Sequence, residues 1–131
     1  MPLLHEDITG RIIDAAIKVH TDLGAGLLES TYSACLQYEM STAGLHLEHQ
    51  VKLPIVYRGV HIDAGYRIDF LIESCVIVEM KAVEKLLPIH TAQLLTYLKL
   101  SAKPVGLILN FNVVHMRDGI KRLVNGYAVS K

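Results

Sequence analysis

The chain predicts an α/β (α+β) fold, a mixed central sheet flanked by helices, and three observations carry that expectation. Two stretches of helical periodicity open it, β-branched and apolar segments of strand length follow Gly44, and a proline-started helix is set between two of those segments. No internal repeat, low-complexity tract or Pro/Ser-rich linker interrupts the order, so residues 1–131 read as a single domain. With 131 residues, 51% of them apolar and 20% charged, it can bury one continuous core without disulfides or a structural metal.

From Asp7 to about Asp22, Ile8, Ile12, Ala15, Ala16 and Val19 recur at helical spacing, and Gly24-Ala25-Gly26 then punctuates the chain. A second helix from about Leu28 places Tyr32, Cys35, Leu36 and Met40 on one face and ends near Gly44. That helix pair offers few donors for base edges, so reading DNA by helix–turn–helix is not expected. Val51 to Tyr57, Tyr66 to Ile72 and Cys75 to Lys81 are strand-like, with Glu73-Ser74 as a tight hairpin between the last two. Pro88 suits the first position of a helix running to about Lys99, where its missing N–H is not needed. A strand from Val105 to Phe111, a short strand from Val113 to Met116 and a terminal helix from Gly119 complete the expected order, α-α-β-β-β-α-β-β and a closing helix.

Composition narrows the function classes. Thirteen basic residues balance thirteen acidic ones, which argues against tight nonspecific nucleic-acid binding but leaves room for a local basic groove. The first residues lack the pattern of a signal peptide, and the apolar runs fall short of the roughly 18 to 20 residues a spanning helix needs. Cys35 and Cys75 are too few for a disulfide framework. The expectation is a soluble cytoplasmic protein with no membrane partner. Seven histidines lie scattered without zinc-ligand spacing, and neither a phosphate-cradling glycine loop nor Gly-x-Ser-x-Gly is present.

The chemistry concentrates between Tyr66 and Lys81. Strand alternation puts Cys75, Ile77, Glu79 and Lys81 on one face, and Arg67, Asp69 and Leu71 on one face of the preceding strand. A hairpin would bring Asp69 beside Glu79 and Lys81. An ordinary cross-strand salt bridge fits the same residues. The nearly continuous apolar character of both strands points instead to buried central positions, where unpaired carboxylates cost several kcal/mol. A divalent ion such as Mg²⁺ or Mn²⁺ relieves that cost, with Asp69, Glu79 and the carbonyl of Met80 as candidate ligands. Lys81 could orient a water or offset charge on a phosphate.

Two further groups stand out. Gln93 and Tyr97 share a helical face with His90 one turn earlier, either as a catalytic and substrate-binding edge or as the polar seam of a helix whose core face is Leu94, Leu95 and Leu98. Glu29 falls in the first turn of its helix, where any acid suits the dipole, and Tyr32 reads as a core aromatic.

In combination, Gly26-x-x-Glu29-x-x-Tyr32, Tyr66-Arg67-Ile68-Asp69-Phe70, Val78-Glu79-Met80-Lys81, His90-x-x-Gln93-Leu94-Leu95-x-Tyr97-Leu98, Gly106 to Phe111 and Gly119 to Leu123 resemble the GxxExxY protein family over nearly the whole chain. That family is similar to the PD-(D/E)XK nucleases and their αβββαβ sandwich. The resemblance implies Asp69 and Glu79 as metal ligands, Lys81 as the catalytic lysine and Glu29 as an upstream helical carboxylate near the metal. Gln93 and Tyr97 match the Gln-x-x-x-Tyr element of RecB-like members.

The function expected is Mg²⁺- or Mn²⁺-dependent hydrolysis of nucleic-acid phosphodiesters, DNA ahead of RNA. The alternative is a catalytically silent nuclease-fold module needing a protein partner. A third version is a homodimer or hetero-complex docking through the apolar Val113 to Met116 strand.

Overall fold

The computed structural model describes residues 4–126. Helix α1 (Glu6–Leu23) and helix α2 (Glu29–Thr42) are followed by strand β1 (Leu47–Lys52) and a short hairpin of β2 (Ile55–Tyr57) and β3 (Val60–Ile62). Then come β4 (Arg67–Ile72), β5 (Val76–Lys81), α3 (Pro88–Ser101), β6 (Val105–Asn110), a 3₁₀ turn at Met116–Gly119 and β7 (Ile120–Val124). The main sheet runs β1-β4-β5-β6-β7, parallel between β5 and β6 and antiparallel elsewhere. The mixed sheet arises because α3 carries the chain across one face before β6 pairs with β5.

Both helical periodicities become packing. Ile12, Ala15, Ala16 and Val19 of α1, with Tyr32, Leu36 and Met40 of α2, bury against Phe70, Ile72, Val76, Val78, Met80, Leu107 and Leu109. On the opposite face Leu94, Tyr97 and Leu98 of α3 pack on Ile68, Leu71, Ile77 and Ile108. A Cβ at Gly106 would come within 2.9 Å of the Leu94 side chain, so the missing side chain is what lets α3 lie this close to β6. Leu95, expected in the core, is exposed, and Tyr97 takes its place. Tyr97 falls on the side of the helix that meets Ile77 and Ile108, and its ring is large enough to fill that space.

Three expectations need correction. The stretch read as one strand from Val51 to Tyr57 is two, because Leu53 and Pro54 leave the ladder: Leu53 is buried and its N–H donates to the Tyr66 carbonyl, while Pro54 has no N–H to give. The next three residues instead form a hairpin with residues 60–62 through Arg58-Gly59, both at positive φ. Residues 113–116 are not a strand and offer no edge: they loop over α1, where His20 Nε2 sits 2.7 Å from the Val113 carbonyl, and Val114 is 85% exposed. The expected helix from Gly119 is strand β7, paired to β6 from Leu109↔Ile120 to Val105↔Val124; its continuation past residue 126 lies outside the described residues. Sheet pairing overrides a short segment whose apolar Ile120 and Leu123 also suit a helix. Gly119 marks the entry, since a Cβ there would lie 2.0 Å from the Asn110 carbonyl oxygen.

Candidate active site

The acids sit where the β4–β5 ladder opens. Pairing is regular from Ile72↔Val76 to Phe70↔Val78 and then stops. Beyond it the carboxylates take over the hydrogen bonding: the Asp69 N–H donates to Glu79 Oε2 at 2.9 Å, and the Met80 N–H donates to Asp69 Oδ2 at 2.8 Å. Each acid therefore accepts from the other strand's backbone, which anchors both where the strands diverge.

The opening also breaks the alternation. Period two would put Ile68 with Phe70, and Arg67, Asp69 and Leu71 together. Instead Ile68 and Leu71 pack under α3 while Phe70 faces α1 and α2, so the strand changes phase at Asp69. Opposite it, β1 pairs through His49↔Phe70 and resumes at Val51↔Ile68, leaving out Gln50, which is left-handed at φ 56°. Such a distortion is costly for a non-glycine residue and is characteristic of functional positions. Gln50 Nε2 lies 3.5 Å from Asp69 Oδ1.

Burial and like charge then set the electrostatics. Glu79 is 7% exposed. Burial, followed by the charge of Asp69, pushes its carboxyl up to about 8, against the smaller opposing pulls of the Asp69 amide and Lys81. Glu29 is exposed as a residue, yet its carboxyl is partly desolvated in the groove and shifted upward, first by that desolvation and then by Asp69, with Lys81 opposing. Tyr97 is buried with its hydroxyl raised, chiefly by desolvation and next by Glu79. The Gln93 amide donates to that hydroxyl at 3.3 Å. Glu29, Asp69, Glu79, Lys81 and Tyr97 thus share one electrostatic neighbourhood, with exposed Gln93 at its rim. His90 is committed differently: its Nδ1 accepts from the Leu87 N–H at 3.0 Å and caps the start of α3.

Several residues position this site through contacts that the sequence does not spell out. Tyr32, fully buried and stacked 4.7 Å from the Phe111 ring, donates its hydroxyl to the Gly24 carbonyl at 2.6 Å and accepts from the Leu27 N–H. It thereby ties down the glycine turn that delivers Glu29. Buried Asn110 brackets the chain after Lys81, accepting from Val83 N–H and donating to the Val83 carbonyl. The Phe111 N–H donates to the Lys81 carbonyl itself. His49 lies in β1, stacked on Phe70.

A groove of about 440 Å³ opens beside the acids, lined by Glu29, Ser33, Gln37, His49, Gln50 and Asp69 among others. A slightly larger one, about 500 Å³, lies between α1 and α2 around Arg11, Asp14 and Glu39. The smaller groove is the chemically relevant one, since Asp69 and the raised carboxyl of Glu29 line it.

The donor set fits a hard divalent cation, because a carboxylate that burial and a neighbouring acid have raised, with hard oxygens around it, gains most from one. Asp69 and Glu79 each keep an oxygen free of the backbone hydrogen bonds. Among the described residues, however, no three His, Cys, Asp or Glu side chains converge tightly enough to hold an ion by themselves.

Comparison with known proteins gives the chain a family. Residues 6–123 match the family model described as the PD-(D/E)XK nuclease superfamily. No curated protein and no solved structure matches the chain significantly.

Proposed function

Because the chain belongs to the PD-(D/E)XK nuclease superfamily, we propose that it hydrolyses phosphodiester bonds in nucleic acid, DNA in the first instance, with Asp69, Glu79 and Lys81 at the reacting centre. The observation that carries the reading is the opened β4–β5 ladder, where Asp69 and Glu79 hold each other's strand and Glu79 is pushed up to about 8. A buried acid held against a half-buried one weakens a fold and finds its use in binding a cation.

Asp69 and Glu79 would hold Mg²⁺ or Mn²⁺ through their remaining oxygens, with the Met80 carbonyl and Glu29 completing the set directly or through water. Such an ion supplies an acidified water and polarises a phosphoryl oxygen. Lys81 places its ammonium where negative charge develops on the phosphate. Tyr97 and Gln93 orient that water or a phosphate oxygen from the α3 side, and His90 contributes at the rim through its remaining ring nitrogen. The working unit is taken as residues 1–131, and the absence of a membrane-spanning helix among the described residues suits a nuclease of the cytoplasm.

One observation favours the rival reading, a silent nuclease-fold binding module acting with a protein partner: among the described residues no three acid, histidine or cysteine side chains converge to hold an ion. Calorimetric titration of Mn²⁺ into the wild-type chain, Asp69→Ala and Glu79→Ala separates them. Saturable binding lost in both variants, followed by Mn²⁺-dependent cleavage of single-stranded, duplex or branched DNA, supports the nuclease. Absence of both binding and cleavage replaces it with the binding module.

A further inference from the structure

The β2–β3 hairpin makes no ladder with the main sheet, and Val56, Tyr57, Val60 and Ile62 on it are 42% to 59% exposed. An isolated two-stranded hairpin is marginal in water, and apolar groups left this open mark a surface that meets something. Its charge says what. Residues 52–67 contain Lys52, Arg58 and Arg67 against a single acid, Asp63, in a chain that is neutral overall. Asp63 is already matched, by Lys52 at 2.9 Å and by the Gly65 N–H. The Arg58 guanidinium stands 5.4 Å from the Tyr57 ring centroid, a cation and an aromatic face presented together at the tip.

Position says the rest. The hairpin springs from the Lys52↔Arg67 end of the β1–β4 ladder, two residues from Asp69. At its base the exposed Tyr66 ring meets the Tyr97 ring edge-on at 6.3 Å, and Tyr97 in turn feels Glu79 and Asp69. Aromatic faces therefore lead from the acids outward along the hairpin, with arginines beside them. Exposed rings with cations alongside suit unpaired bases and a phosphate backbone, whereas paired bases keep their faces covered.

We infer that the β2–β3 hairpin is an arm that grips single-stranded nucleic acid, stacking bases on Tyr57 and Tyr66 and pairing phosphates with Arg58 and Arg67, so that the strand is led to Asp69 and Glu79. This rests on the nuclease reading and narrows its substrate class. The Lys52–Asp63 ion pair and the Leu53–Tyr66 backbone hydrogen bond join the two segments at the base of the arm.

Fluorescence anisotropy with a labelled single-stranded oligonucleotide and its duplex, in EDTA so that no cleavage intrudes, tests the arm on the full chain. Tyr57→Ala is expected to weaken single-strand binding about tenfold, and Tyr57→Phe, which keeps the ring, to restore it. Arg58→Ala should lower the salt dependence by roughly one phosphate contact. Lys18→Ala, on the exposed side of α1, should change neither. Wild-type binding with all hairpin variants equally tight would overturn the arm while leaving the nuclease reading intact. Preference for the duplex would overturn the single-strand assignment, as would a hairpin substitution that abolishes self-association and spares oligonucleotide binding. Failure of the wild-type chain to bind either oligonucleotide overturns the arm, and the Mn²⁺ titration then reports separately on the acids.

Discussion

Two hairpins in this protein are built from the same turn chemistry and end up with opposite surroundings. Arg58-Gly59 joins β2 to β3, and Glu73-Ser74-Cys75 joins β4 to β5; the first two residues of each connection have positive φ, as such tight hairpin turns require. The β4–β5 pair is covered by α1 and α2 on one side and α3 on the other, and its residues from Phe70 to Ile72 and Val76 to Met80 are buried. The β2–β3 pair has no helix on either face. Local chemistry closes a hairpin, but the layers around it decide whether it carries a desolvated acid or a solvent-facing apolar surface.

The sharpest way to break this comparison is stability. Phe70→Ala removes a fully buried ring from under α1 and α2, and should cost about 3 to 5 kcal/mol. Tyr57→Ala, on the open hairpin, should stay within about 0.5 kcal/mol. Urea unfolding checks both, and equal costs would mean the hairpin is covered in solution. Activity sharpens it next: Lys81→Ala should lower cleavage about 100- to 1,000-fold while Mn²⁺ binding largely survives. Undiminished cleavage in that variant removes Lys81 from the mechanism.

The buried hairpin should also be pH-sensitive where the open one is not. Glu79 stands at about 8 in the fold against 4.5 for the free group. The folded state therefore holds more protons between those values, and stability must fall as pH rises across them, by an amount on the order of a few kcal/mol. Without metal, the melting temperature should be higher at about pH 5 than at about pH 8, and Glu79→Gln should flatten that part of the slope. Mn²⁺ affinity should rise over the same window, since binding displaces the proton. A slope unchanged in Glu79→Gln would place the raised carboxyl elsewhere. A modest effect is expected at Tyr32→Phe, which strands the Gly24 carbonyl and the Leu27 N–H. It should cost about 1 kcal/mol, with a loss of cleavage milder than that of Lys81→Ala, as Glu29 loosens.

What could be read in advance follows from the range of the interactions. The α1 and α2 faces were legible because helical spacing records burial directly, and Ile12, Ala15, Ala16, Val19, Tyr32, Leu36 and Met40 all face the core. The β4–β5 hairpin was legible from its apolar runs and its turn, and with it the nearness of Asp69 to Glu79. The phase change at Asp69 was not, because it depends on Gln50 in a strand nearly twenty residues away. Nor was β7, whose pattern admits a helix until β6 is there to pair with it. The second hairpin did carry a signal, Arg58-Gly59 between Ile55-Val56-Tyr57 and Val60-His61-Ile62, hidden by the apolar run that precedes it.

By itself the sequence determined the class of fold, the helix faces, the acid–lysine pattern and the family in which that pattern belongs, since each rests on spacing along one chain. The tertiary structure alone decided that Asp69 and Glu79 would grip each other's strands, that Glu79 would be desolvated enough to hold a proton near neutrality, and that one hairpin would stay uncovered. Those outcomes depend on which distant segments close over a residue, and desolvation has no local code.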